Sequence, residues 1–527
     1  MARVQTKSEE QNVTAQNRRS EHERSAGTST RRAFLNGLFA SSLGIAMPTR
    51  HDLLFHGRSG SYDFSGIRNA ILAAVASHAA TGIGVAVAHR GRILWEEGFG
   101  WADREADSKV GEHTPFCLAS ITKPFTTTAM MTLVASGRIS LDDSANKYLG
   151  RKSRLRGNAK AATIRLLGAH AAGLPSMFEM YPGADDARQP STTTLLENYG
   201  SLAYPPNELY EYSNIGYAAL GEIASNMTGL EFAEFLKRQV LDPLGLHDSF
   251  FDTNKGRLAS AAVLYDEQER RIPQYFTATP PSGELYVSAH DLALFALFNL
   301  KNHLRDQAPI LSDQLIDELH RPVFFGRSRA ATTFGWFTGE TKSGLPVIFK
   351  DGGQPGVSTV MYMVPQENLV CVALANRSDN GEFVQKLVDQ MAAIAIPDWT
   401  SPKTSVGLPT ADFSGGSLYS GKWQGRLHGG GAETAVSLQI DPGGSATLSL
   451  GNRRPEKITN LALQGNALVG KSMGTIESAD AIRNQATLLS LKLLGREDKS
   501  AGRILASAGN PGKLVILPYI VELRRSR

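Results

Sequence analysis

Short alternating runs flank a long stretch in which apolar positions recur at helical spacing. Ile83, Val85 and Val87 alternate with small residues, His89–Arg92 reads as a turn, and Ile93, Leu94 and Trp95 resume the run. This predicts two strands within 82–101. Ile121, Phe125, Ala129, Leu133 and Val134 share one face at helical spacing and Gly137 follows as a stop, so 120–136 reads as a helix. Residues 214–228 and 230–241 read as further helices. Asp291–Leu300 is apolar on nearly every side and reads as a buried one. Val357–Val364 and Leu369–Leu374 return to strand patterning around the turn Pro365–Asn368. Strands at both ends of a helix-rich region predict an α+β domain whose sheet is assembled from the two ends.

A boundary is expected near residue 400, where Pro397, Pro402 and Pro409 punctuate a polar stretch. Beyond it the runs shorten: Thr434–Ile440, Ala446–Leu450, Leu488–Leu494 and Leu514–Val521, separated by Gly-rich turns. That pattern predicts a small all-β domain, a barrel or a sandwich. The expected organisation is a tail and signal over 1–50, an α+β domain over 51–398 and a small β domain over 410–527.

Composition changes this picture little. The hydrophobic fraction is 42% and the charged fraction 20%, both ordinary for a globular protein. The formal net charge is +4, and residues 1–50 hold all of it, leaving the rest formally neutral. No basic footprint of a nucleic-acid binder is present. Residues 1–30 are polar and read as disordered. Arg31 and Arg32 then precede a short, modestly apolar run, Phe34–Met47, which reads as a twin-arginine export signal with small residues at 44–46 for cleavage. No stretch is long and apolar enough to predict a stable membrane span. The two cysteines, Cys117 and Cys371, give neither metal spacing nor a disulfide framework. They pair only if the fold brings them together, and are otherwise buried free thiols.

The chemistry concentrates at Ser120-Ile121-Thr122-Lys123. Residues i and i+3 of a helix share a face about 5–6 Å apart, so a lysine there can take the serine proton once burial and a second cation lower its pKa from ~10.4. The helix N-terminus adds a positive potential that favours an oxyanion at the serine. Ser144 and Lys147 have the same spacing, but lie in a polar segment and read as surface. Tyr212-Ser213-Asn214 precedes an amphipathic helix, and Lys350-Asp351-Gly352 opens a strand. Gly470–Gly474 around Ser472 matches a nucleophile elbow, which must join a strand to a helix; no apolar helix follows. His170 reads as a structural loop residue, and Gly421-Lys422-Trp423 as a lipocalin-type barrel opening or a core tryptophan.

Ser-x-x-Lys, Tyr-x-Asn and Lys-x-Gly in this order resemble class C β-lactamases, D-alanyl-D-alanine carboxypeptidases, D-aminopeptidases and β-lactamase-like esterases. The flanks Ser136–Asp143, Leu166–Pro175 and Gly352–Pro365 are similar too, and the likeness covers about residues 65–395. It implies a β-lactamase/transpeptidase-like fold and a serine hydrolase without metal or organic cofactor, acting on a small-molecule or peptide substrate. Ser120 would be acylated, Lys123 would be its base or proton shuttle, and Tyr212 partner base and then acid. Asn214 would orient Lys123 and substrate. Lys350 would depress the pKa values of Tyr212 and Lys123. The backbone N–H groups of Ser120 and Gly353 would form the oxyanion hole, with Asp351 and Gly352 beside the substrate. Two departures stand out. Asn207 replaces a family glycine, which asparagine's tolerance of left-handed backbone allows. Asp351 occupies the middle of Lys-x-Gly; facing the cleft, it would favour neutral or cationic substrates. The alternative is a non-catalytic protein on the same fold that binds peptidoglycan stems or a partner. Such a binder has no need of all four of Ser120, Lys123, Tyr212 and Lys350.

Overall fold

The computed structural model describes residues 62–526, except 184–188, 252–255, 326–329, 404–405, 407–409, 414–417, 478–484 and 510–512. Arg31 and Arg32 lie outside the described residues.

The sheet is assembled from both ends of the helical region. Gly82–His89 lies between Arg92–Asp103, its hairpin partner, and Leu369–Ala375, from nearly three hundred residues downstream. Leu369–Ala375 continues to Val357–Val364, and that strand to Pro346–Gln354. All these pairs are antiparallel, and among the described residues the sheet has nine strands. Both faces of its centre are covered, so Val357–Val364 and Leu369–Ala375 are buried at every position, which is why they read as continuous apolar runs. Ser65–Ala76 and Gly381–Ala395 pack on one face.

The helix over 120–136 differs from its one-sided expectation. It begins as a 3-10 turn, Ala119–Ile121, and continues as Thr122–Ala135. It is buried nearly all round, including Thr126, Thr127 and Thr128. Two of these hydroxyls find carbonyl acceptors, Thr126 Oγ1 donating to Pro281 O at 2.7 Å and Thr127 Oγ1 to Pro124 O at 3.0 Å, while the buried Thr128 hydroxyl has no partner among the described residues. Asn214–Thr228 has the expected bounds, with the Ser213 hydroxyl capping Gly216 N at 3.0 Å and Gly229 closing it at φ +73°. Asn207 sits at φ +66°, the left-handed backbone its glycine-like position requires.

After residue 400 an antiparallel meander runs through Gly421–Gly429, Ala432–Ile440 and Ala446–Leu450 to Val515–Arg525. Segment 456–464 pairs with Ala446–Leu450 at its start and with Ala467–Thr475 along the rest. The last strand returns to the first, Leu427 opposite Val521. The sheet thus curls until its ends meet, as in an up-and-down barrel, which leaves no long open edge among the described residues. Trp423, Leu438, Leu491, Ile504 and Tyr519 alternate into its interior. Ser472 lies in the strand Ala467–Thr475 with its hydroxyl on Lys457 O at 3.1 Å, so no elbow exists. The barrel is not a free appendage: Phe178–Pro182 of the helical region pairs with Val515–Arg525, and one apolar cluster runs through both.

Candidate active site

Ser120 lies at the N-terminal turn of the buried helix, where it meets the strand Pro346–Gln354. The preceding residue, Ala119, is held at φ +46°, a backbone state that costs a non-glycine residue on the order of 1–3 kcal/mol. The residue before it is fixed at both its backbone polar groups. Leu118 N donates to Leu285 O at 2.9 Å, and Thr359 Oγ1 donates to Leu118 O at 2.9 Å. The strand comes so close that a Cβ on Gly352 would lie 2.2 Å from Leu118 O and 3.1 Å from Ser120 N. Only glycine fits there. One residue on, Gly353 pairs with Ser358 and a Cβ on it would meet nothing within 4 Å, so this side of the strand faces open space.

Three of the expected side chains converge. Tyr212 O–H donates to Ser120 Oγ at 2.6 Å, and Lys123 Nζ lies 3.2 Å from the same oxygen. Lys123 is fully buried and donates to Ser282 O at 2.8 Å. Its Nζ sits 4.7 Å from the Tyr212 ring centre. Lys350 is also buried, with Nζ 5.4 Å from the Tyr212 ring and 4.1 Å from the Phe337 ring. Desolvation, and then the Lys350 charge, hold the Lys123 ammonium well below the usual lysine range. Burial brings Lys350 itself down to about 8, against the pull of Asp351.

Tyr212 departs from the expectation that Lys350 lowers its pKa. Burial pushes the phenol well above its ordinary value, the bond to Ser120 opposes that rise, and Tyr210 and Asp351 add to it. Tyr212 is therefore a neutral donor at rest, and Lys123 is the group whose proton affinity is tuned down. Asn214 Nδ2 donates to Met177 O at 2.9 Å, and its Oδ1 is buried with no hydrogen-bond partner. Asp351 points to the rim, its side chain 65% exposed and 3.8 Å from Lys350 Nζ. Lys147 is exposed and pairs with Asp143 at 2.7 Å, and the half-buried Ser144 donates its hydroxyl to Ala159 O at 3.3 Å, so the two do not form a pair. Both cysteines are free and buried.

Sequence reading did not anticipate two contributors. The Ser282 carbonyl acts through backbone, which carries no sequence signature. His170 stacks on Tyr212 with ring centres 4.2 Å apart, and its Nδ1 accepts from Ser213 N at 3.0 Å. Burial and the nearby Lys123 and Lys350 charges keep its pKa well below the ordinary value, so it is a neutral shim behind the tyrosine.

The β-lactamase family model matches residues 67–396, the stretch that holds Ser120, Lys123, Tyr212 and Lys350. The chain belongs to the β-lactamase family. It is 26% identical over 319 residues to Protein flp of Staphylococcus aureus (strain MRSA252). That match covers 59% of this chain and 62% of the staphylococcal protein. Among solved structures, the octameric penicillin-binding protein homologue from Pyrococcus abyssi has 18% identity and a TM-score of 0.54, over 87% of this chain and all of the other. SurE with D-Leu has 20% identity and a TM-score of 0.59, over 88% of this chain and 99% of the other. These two likenesses are of fold, and they extend past the family match into the barrel.

Proposed function

We propose that the protein hydrolyses an ester or amide, of the open-ester, β-lactam or D-amino-acid peptide type, through an acyl-enzyme on Ser120. The observation that carries this reading is the pair of contacts on Ser120 Oγ, 2.6 Å to the Tyr212 hydroxyl and 3.2 Å to the buried Lys123 Nζ. Lys123, neutral at rest, accepts the Ser120 proton as Oγ attacks the carbonyl carbon. Lys350 and the helix N-terminus favour the negative charge that develops, and the N–H groups of Ser120 and Gly353 receive the carbonyl oxygen. Tyr212 then gives its proton to the departing oxygen or nitrogen as the scissile bond breaks, and water releases the acyl group by the reverse path. Asn214, anchored on Met177, offers its buried Oδ1 to the substrate or to Lys123.

A fluorophosphonate probe and a fluorescent penicillin should label the protein covalently, with the adduct on Ser120 by mass spectrometry. Ser120→Ala should lose both labelling and turnover. Labelling of Ser472, or turnover in Ser120→Ala, would exclude the mechanism.

We further infer export by the twin-arginine route from Arg31 and Arg32. Among the described residues no helix is long and apolar enough to cross a membrane. A doubly substituted Arg31→Lys, Arg32→Lys precursor should stay in the cytoplasm; its normal appearance outside would rule that route out.

A further inference from the structure

The barrel reaches the back of the candidate nucleophile site. Lys492 and Arg503 stand opposite each other on the neighbouring barrel strands Ala486–Arg496 and Lys499–Ala508. They project outward, since Leu491 and Leu493 on either side of Lys492 point into the barrel. Both meet Glu211, the residue before Tyr212. Lys492 Nζ donates to Glu211 Oε2 at 2.8 Å and Arg503 Nε to Glu211 Oε1 at 2.7 Å. All three are largely buried, their side chains 8%, 13% and 6% exposed. Lys492 also donates to Tyr210 O at 3.2 Å, and Arg503 Nη1 to Ser490 O at 2.9 Å.

A cavity of about 300 Å³ opens against this cluster. Tyr210 and Tyr212 form one wall, and Leu505, Gln464, Lys492 and Arg503 of the barrel form the other. Tyr212 is therefore shared: its hydroxyl is on Ser120 and it also lines the cavity. Two features define what the cavity fits. Its Leu and Tyr surfaces suit a short hydrocarbon chain. Its charged groups are two cations against one carboxylate, and a buried net charge is costly unless a counter-charge joins it. The other carboxylate acting on Tyr210 is Asp351, which does not line the cavity and has Lys350 beside it.

We propose that this cavity is a substrate subsite, completed by the barrel, that takes an acyl chain ending in a carboxylate, with Lys492 and Arg503 as its recognition residues. The proposal rests on the acyl-enzyme reading of Ser120. The test compares mono-p-nitrophenyl adipate with p-nitrophenyl hexanoate, which share a chain length and differ in the terminal charge. On the wild-type protein kcat/KM should favour the adipate ester roughly tenfold or more, the worth of one charge-assisted hydrogen bond. The ratio should fall towards one in Lys492→Met and in Arg503→Met. A wild-type enzyme that cleaves the hexanoate as well or better overturns the subsite, whatever the variants do. A ratio unchanged in both folded variants overturns the assignment of the two residues. If neither ester is cleaved and Ser120 is not labelled, the acyl-enzyme reading fails. Calorimetric titration of free adipate into the wild-type protein then decides the cavity: saturable binding supports it and no binding overturns it.

Discussion

Lys350 shows how a single buried charge sets opposite trends in stability and activity. Its folded pKa is about 8 against an ordinary 10.5. Between those values the unfolded chain holds a proton that the folded chain has released, so this group makes stability rise with pH across that window and leaves its full desolvation cost in place below it. The positive field at Ser120 is lost in the same interval. The expected result is a kcat/KM profile that falls above about pH 8 while this lysine's contribution to stability improves. Lys350→Arg, whose guanidinium stays charged, should move the alkaline limb upward even if the absolute rate drops. A limb at the same pH in Lys350→Arg would assign it to another group. Asp351, by contrast, is mostly solvated, so its charge is screened.

At the scale of elements, the decisive contact is between the 3-10 turn Ala119–Ile121 and the strand Pro346–Gln354. The turn's left-handed Ala119 and the strand's Gly352 are two halves of one arrangement, in which backbone meets backbone at Leu118 O and Ser120 N. Gly352→Ala would place a Cβ 2.2 Å from a carbonyl oxygen, and since the obstacle is main chain, the strand or the turn must move. Even a shift of about 1 Å at a reacting group can cost on the order of 10²-fold in rate. The variant should therefore lose at least that much kcat with its fold retained, whereas Gly353→Ala, with open space at Cβ, should lose less. Comparable rates in the two variants, with unchanged circular dichroism, would show that the close approach does not set the position of Ser120.

In the whole molecule, Glu211, Lys492 and Arg503 tie the barrel to the segment that carries Tyr212. Replacing a buried partner leaves its counter-charges uncompensated, typically about 3–5 kcal/mol when one member of a buried pair is lost. Glu211→Gln leaves two buried cations facing a neutral amide. Urea unfolding of this variant should show a stability loss of about that size. A loss below ~1 kcal/mol, the range of exposed pairs, would mean that the cluster does not hold the two parts together.

The strands that read as alternating or continuous apolar runs, the helix bounds at Asn214–Thr228 and the Ser120, Lys123, Tyr212 and Lys350 constellation were legible in sequence. Each depends on local periodicity or on a short motif whose residue types the chemistry demands. The one-sided reading of Thr122–Ala135 failed because threonines share its buried faces, two of them, Thr126 and Thr127, with their hydroxyls on carbonyl oxygens. The direction of the Tyr212 shift was missed because burial of the phenol outweighs the bond to Ser120 that opposes it. Lys492 left a faint trace, a charge inside the apolar run Leu488–Leu494, but nothing named its partner. Glu211 lies 281 residues away in the chain, and only the closing of the barrel against the Tyr210–Ser213 segment brings the two charges and the cavity beside them together.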